Sequence, residues 1–256
     1  MKGLPIAAAT LLVTWACAAG AAEAPAMEPA NNDVADIASL QRGAKYFVNY
    51  CLGCHSAKYV RYNRLGEDLG LTEAQLVDNL MFTGERPFDT MDNAMREEDG
   101  ARWFGRAPPD LSLIARSRGP DYLYNYLKGF YEDDSTATGA NNLVLPNASM
   151  PDVFWEVQGI RRAVPVESEM GADGGSNPAG AVEGGAQGVK LEVVQPGTLT
   201  EAQFDQMVRD IVNFLDYIGE PMQLERRALG IRVIAFLLVF LLVAYLLKKE
   251  IWKDVT

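Results

Sequence analysis

Apolar positions along the chain follow a helical period in four places. Around residues 40–54, Leu40, Ala44, Phe47, Val48 and Cys51 recur at helical spacing and predict a first helix that ends in Cys51-Leu52-Gly53-Cys54-His55. Thr72-Glu73-Ala74-Gln75 has capping-box spacing, in which threonine and glutamine side chains each accept the other's backbone N–H; a short helix should follow, with Leu76 and Leu80 on one face and Gly84 beyond. Pro120 suits a first helical turn and opens a third helix through Tyr122, Leu123, Tyr126 and Leu127 to Gly129. A second capping box, Thr200-Glu201-Ala202-Gln203, precedes the cleanest stripe: Phe204, Met207, Val208, Ile211, Val212, Leu215 and Ile218, stopped by Gly219 and Pro221.

Elsewhere the period disappears. Residues 228–247 are apolar at nearly every position, matching the roughly 20 residues that cross a bilayer core, with Arg232 able to snorkel from one end. Lys248, Lys249 and Lys253 follow, which by the positive-inside rule places the C-terminus in the cytoplasm. At the other end, Lys2, the short run Leu11-Leu12-Val13 and the small residues Ala18 to Ala22 read as a bacterial secretory signal cleaved near Ala22, with Cys17 inside it. Residues 167–188 are Gly, Ala, Ser and Asn with almost no large apolar side chain, a flexible loop whose flanks, 153–164 and 189–194, should pair as two strands. The expectation is a signal peptide over 1–22, an exported, periplasmic domain over 23–225, an inner-membrane anchor over 226–249 and a cytoplasmic tail over 250–256. Its fold class is mostly α, with long loops, a small β element and one C-terminal transmembrane helix.

Charge divides at the same boundary. Residues 23–225 hold 16 Lys and Arg against 32 Asp and Glu, whereas residues 226–256 hold 6 against 2. Such acidity repels nucleic-acid phosphates and suits basic protein partners, although it also simply keeps a domain soluble.

The candidate chemistry lies in Cys51-Leu52-Gly53-Cys54-His55. A CxxCH run spaces two thiols to add to both vinyl groups of one haem and sets the adjoining histidine beneath the iron, giving one covalently bound haem c. A structural zinc site wants four ligands, yet outside the signal this chain offers only Cys51, Cys54 and His55 as thiol or imidazole donors. A thioredoxin-like dithiol should sit beside a βαβ pattern, which is absent. Because His55 is the only histidine, a second axial ligand must be a methionine, a weaker donor such as an amine or water, or nothing. Met150 is the preferred candidate: it follows the polar, irregular stretch 141–149 and precedes Pro151, which holds an extended loop. Met81, Met91 and Met95 compete, while Met207 belongs to the stripe of the last helix and reads as core. Arg106-Ala107-Pro108-Pro109-Asp110-Leu111-Ser112 forms a rigid turn, and Arg116 one helical turn beyond it could fork onto a haem propionate, with Tyr122 or Tyr126 as a second donor. From spacing alone, a surface arginine and packing tyrosines fit these positions equally well.

These residues resemble the cytochrome c1 family, the haem subunits of ubiquinol–cytochrome c reductase (bc1) complexes. The likeness runs from about residue 35 to the C-terminus: CLGCHS from Cys51, APPDLSLIARSRG from Ala107, DYLYNYLKGFYEDD from Asp121, ASMPD from Ala148, a terminal amphipathic helix and one anchor followed by lysines. The resemblance implies a helical cytochrome c fold whose first and last helices cross, Gly43 and Phe47 lying against Phe214 and Tyr217. It also implies haem held by Cys51 and Cys54, iron ligated by His55 and Met150, Pro109 lining the pocket and Arg116 at a propionate. The implied role is to take single electrons from a Rieske iron–sulfur protein, beside cytochrome b, and pass them to a soluble c-type cytochrome. Such a subunit is not catalytic alone, and nothing in the sequence resembles a catalytic triad or metal pair. Two alternatives stay open: another anchored c-type cytochrome, such as an oxidase donor subunit, and a haem sensor or peroxidase with an open iron site.

Overall fold

A computed structural model describes residues 27–165 and 189–255; the expected signal segment and the loop at 167–188 lie outside the described residues. Helix α1, Ile37–Tyr46, starts three residues before the predicted Leu40, because the Asp36 carboxylate accepts the N–H of Ser39 and caps it. It then widens into one π turn, Phe47–Cys51, closed by the Leu52 N–H on the Phe47 carbonyl at 2.9 Å. The second predicted helix is α3, Glu73–Leu80, and the third is α6, Pro120–Lys128; the capping box of α3 forms as its sequence suggests. Helix α8, Glu201–Gly219, opens on the other capping box and buries the predicted stripe, Met207 included.

Helices α1 and α8 cross, and the crossing organises the core. A methyl group on Gly43 would run into the Asp210 carbonyl and lie 2.7 Å from Cβ of Phe214, so the helices approach backbone to backbone there. One turn on, the rings of Phe47 and Phe214 meet with centroids 5.4 Å apart. Tyr217 has another partner besides the Phe214 ring: its hydroxyl donates to Asp68 at 2.6 Å. The crossing also holds a buried carboxylate. Asp210 accepts from Ser39 Oγ at 2.7 Å, from two nitrogens of Arg42 at 2.7 and 2.9 Å, and from Gln206 at 2.9 Å, which together offset its desolvation.

An N-terminal strap fixes α6 against α8. Ala30 receives Arg209 on its carbonyl and gives its N–H to Asp121, while Lys128 bridges Glu28 and Asp205.

The β structure is larger than the two strands expected. Strands β5, Gly159–Pro165, and β6, Val189–Pro196, pair antiparallel as anticipated, but they continue a four-stranded sheet. Its order is β4-β3-β5-β6, with β3 at Phe130–Glu132, β4 at Ala140–Asn142 and β3 parallel to β5. The run from residue 153 is not strand at its start: Trp155–Gln158 makes a single helical turn, α7, because the Phe154 carbonyl takes two successive N–H groups. Gly159, at φ +88° and with no room for a Cβ beside the Gln195 carbonyl, then turns the chain into β5. Also unpredicted are strands β1, Ala57–Arg61, and β2, Thr90–Met91, and helices α2, Tyr62–Asp68, α4, Glu97–Phe104, and α5, Ile114–Arg118.

Helix α9, Gln223–Ile251, is the one helix among the described residues long and apolar enough to cross a membrane, its most apolar stretch having a mean hydropathy of 2.6. At 1.5 Å per residue it is about 44 Å long, more than the ~30 Å of hydrocarbon it would cross. Three residues separate it from α8. Arg226 pairs with Glu220 across that link, and Arg64 donates to Met222 Sδ at 3.7 Å.

Because the helices have no room at their crossing, Gly43→Ala should lower stability by about 3 kcal/mol, the upper range for overpacking. Chemical denaturation of the detergent-solubilised chain, followed by circular dichroism, measures this.

Candidate functional site

The Cys51 carbonyl accepts the N–H of Cys54 at 3.0 Å and of His55 at 2.8 Å, closing one helical turn. Cys54 and His55 thus stand one turn beyond Cys51, at the three- and four-residue spacings that bring each near it on a helix. Both cysteines are free thiols, Cys51 buried and Cys54 half-buried. Burial pushes the Cys51 thiol up to about 12, with Cys54 adding to it, and burial raises Cys54 as well.

His55 is pinned by backbone. Its Nδ1 lies 2.7 Å from the Pro109 carbonyl, and since a carbonyl can only accept, Nδ1 carries the proton and Nε2 keeps its lone pair. Burial lowers the pKa of the ring, partly offset by the Pro109 carbonyl and Asp110, so the imidazole is neutral at neutral pH. Pro109 itself is exposed; its role here is the carbonyl.

The turn carrying Pro109 is stitched to the chain that follows His55. Leu111 N–H donates to the Ser56 carbonyl at 2.8 Å, Lys58 N–H to Asp110 at 2.9 Å and Tyr59 N–H to Ser112 Oγ at 3.1 Å. Asp110 also accepts the N–H of Ser112 at 2.9 Å, closing an Asx turn. From the other side, Asn93 donates its amide to the Cys54 carbonyl and bonds Ser56 Oγ through both Oδ1 and its backbone N–H. Sequence reasoning singled out neither Asn93 nor Asp110. The Asp-x-Ser spacing after two prolines carries an Asx-turn signal; Asn93, 39 residues from Cys54, carries none.

Met150 lies half-buried at the end of a clamped loop, against a small cluster of Phe130, Ala140 and Ala148. Before it, Asn141 Oδ1 accepts Asn147 N–H at 2.7 Å, and Asn142 Oδ1 accepts Val144 and Leu145 N–H at 2.9 and 3.1 Å. After it, the half-buried Asp152 caps Phe154 and is held by Gln158. Tyr126 donates its hydroxyl to Met150 Sδ at 3.6 Å, within reach of the larger sulfur atom. Burial, helped by Tyr122, pushes Tyr126 up to about 12, so its phenol stays protonated. Tyr122 stacks on Tyr126 at 6.1 Å and carries Arg118 over its face at 5.4 Å.

The predicted residues therefore form two groups, Cys51, Cys54, His55 and Pro109 in one and Met150, Tyr126 and Tyr122 in the other. The frame joins them, for Tyr50, beside Cys51, packs on Phe154, beyond Met150, with ring centroids 5.4 Å apart. Arg116 is exposed, with its stem beside Gly219 at the end of α8; the Glu220 carboxyl there is lowered chiefly by its hydrogen bond to Arg226, with Arg116 a lesser contributor. Of the competing methionines, Met91 is fully buried in β2 and Met81 almost so.

The profile of the Cytochrome C1 family matches residues 30–255. This chain belongs to the cytochrome c1 family. It is 50% identical to a protein named cytochrome c1 from Allochromatium vinosum, over 90% of this chain and 89% of that one. It is 43% identical to a protein named ammonia monooxygenase gamma subunit from Nitrosomonas europaea, over 90% and 88%. A third relative, the mitochondrial cytochrome b-c1 complex catalytic subunit of Candida albicans, is 27% identical over 86% and 73%. Membership of the cytochrome c1 family implies a c-type haem, and this member has the donors for one: two cysteines not joined in a disulfide, an imidazole with Nε2 unprotonated, and a half-buried thioether.

The Asp110 carboxylate ties two backbone N–H groups, so Asp110→Ala should cost about 2 kcal/mol, in the range for hydrogen bonds to a charged group. The same denaturation measurement reads it, and a loss under 0.5 kcal/mol on the order of error would show that the stitch contributes little.

Proposed function

We propose that this chain is the haem-bearing, electron-carrying subunit of a membrane ubiquinol–cytochrome c reductase. One haem is attached through thioethers at Cys51 and Cys54, with His55 and Met150 as its axial ligands and the haem domain on the periplasmic side. When bound, the haem supplies a one-electron couple between ferric and ferrous iron. His55 keeps its proton on Nδ1, held by Pro109, and presents Nε2 as donor. Met150 offers a thioether that favours the ferrous state and so a high potential. Arg116 and Tyr122 pair with the propionates, Pro109 borders the pocket, and α9 tethers the domain as a single span with its lysine-bearing end in the cytoplasm.

Electrons arrive singly from a Rieske iron–sulfur protein and leave to a soluble c-type cytochrome. A relative named for the b-c1 complex supports cytochrome b as the neighbour in the membrane. The observation that carries the reading is the CxxCH turn with its imidazole pinned to the Pro109 carbonyl, inside a chain that matches the family over residues 30–255. The relative named as an ammonia monooxygenase subunit offers a second assembly for the same haem domain.

Protein matured in a host that attaches haem c should keep its colour through denaturing electrophoresis; pigment shed into acidified acetone would refute thioether attachment. Met150→Ala should retain that haem yet bind carbon monoxide readily when reduced, and unchanged ligation would move the sixth ligand elsewhere. Purification in mild detergent should bring down a Rieske protein and a cytochrome b. Recovery with monooxygenase subunits instead would select the second assembly.

A further inference from the structure

A thioether sulfur has two lone pairs, and a metal bond uses one of them. The other is free to accept a hydrogen bond, and the Tyr126 hydroxyl stands 3.6 Å from Met150 Sδ. The tyrosine cannot drift from this place. Its ring is stacked on Tyr122 on one side, tilted at 7°, and meets the edge of Phe130 on another at 5.2 Å and 74°. Its backbone is bound to the methionine's own loop: Asn142 donates to the Tyr126 carbonyl at 2.7 Å while accepting the N–H groups of Val144 and Leu145. Phe130, on which the ring rests, also belongs to the cluster against which Met150 packs. Side chain and main chain of one residue thus set where the sulfur sits and what it touches.

We propose that Tyr126 is the positioning and tuning residue of the sixth ligand: its hydroxyl donates to the Met150 sulfur and raises the reduction potential of the centre. The proposal rests on the reading of Met150 as an axial ligand. A donor on the sulfur withdraws electron density from it. The sulfur then gives less to the iron, and the ferric state, which needs that donation more, loses stability relative to the ferrous. No proton moves in the couple; Tyr126 keeps its own in both oxidation states, and one electron alone enters or leaves. The assignment differs from the sequence-based one, in which the Tyr126 hydroxyl was a candidate partner for a propionate.

Tyr126→Phe removes the oxygen and leaves the stacked ring. In the full-length, haem-loaded, detergent-solubilised chain, redox titration should find the equilibrium displaced toward ferric by up to about fivefold, the scale of one neutral hydrogen bond. At 59 mV per tenfold for one electron this is about 40 mV. The near-infrared sulfur-to-ferric-iron charge-transfer band should shift in the same variant. Replacing Tyr126 with a ring-fluorinated tyrosine, a stronger donor of the same shape, should move the potential upward. Opposite signs in the two proteins separate hydrogen bonding from packing, which would move both the same way. A potential and band unchanged in Tyr126→Phe, or a potential that rises, overturns the proposal, as does a fall on fluorination. Met150→Ala serves as the separate check: if the charge-transfer band survives there, it is the ligand reading that has failed.

Discussion

At Gly43 two helices meet with nothing between their backbones, and the placement of the Cys51 to His55 turn follows from that closeness. With a hydrogen in place of a side chain, α1 can lie on the Asp210 carbonyl and bring Phe47 onto Phe214. The π turn begins at Phe47 and ends at Cys51, so the position of the first thiol relative to α8 is set within five residues of a fully buried ring. The buried Asp210 is part of the same constraint. Three donors from Ser39 and Arg42 converge on it across the crossing, which ties them to one register of the two helices, and Gln206 adds a fourth from α8 itself. A charge that would be costly alone thereby selects a single crossing.

The two sides of the proposed iron site are built from different materials. On the histidine side the partner is a carbonyl in a proline turn, itself bonded into β1 through Ser56, Lys58 and Tyr59. The carbonyl that fixes the imidazole's tautomer is main chain, and one backbone bond with two backbone-to-side-chain bonds holds its turn in place. On the methionine side the partners are side chains, two asparagines ahead of the sulfur and a tyrosine at it. A phenol hydroxyl can be exchanged for hydrogen without disturbing the chain, so this side can vary its electronic character while the other stays constant.

Helices with a full period and a capping box were legible from the residues alone. Thr72, Pro120 and Thr200 mark their starts because each satisfies a local backbone requirement that the sequence states within four positions. The same holds for the Cys51 to His55 turn. What the sequence hid was long-range. Strands β3 and β4 are three residues each, too short for an alternation, and form because Asp133 and Thr136 turn the chain between them. Asn93 reaches the Cys51 to His55 turn from 39 residues away, and no periodicity encodes that. Tyr126 was visible as an aromatic on the right face of its helix, but its preference for a sulfur depends on where the loop at 141–150 returns, which only the folded chain specifies.

The junction between α8 and α9 spans only residues 220–222, and it is braced by Arg226 on Glu220 and Arg64 on Met222. If α9 spans a membrane as proposed, a stalk so short would hold the haem domain close to the membrane surface, as a post rather than a lantern on a cord. Under the proposed function, any travel between electron donor and acceptor would then fall to the molecules that visit the post.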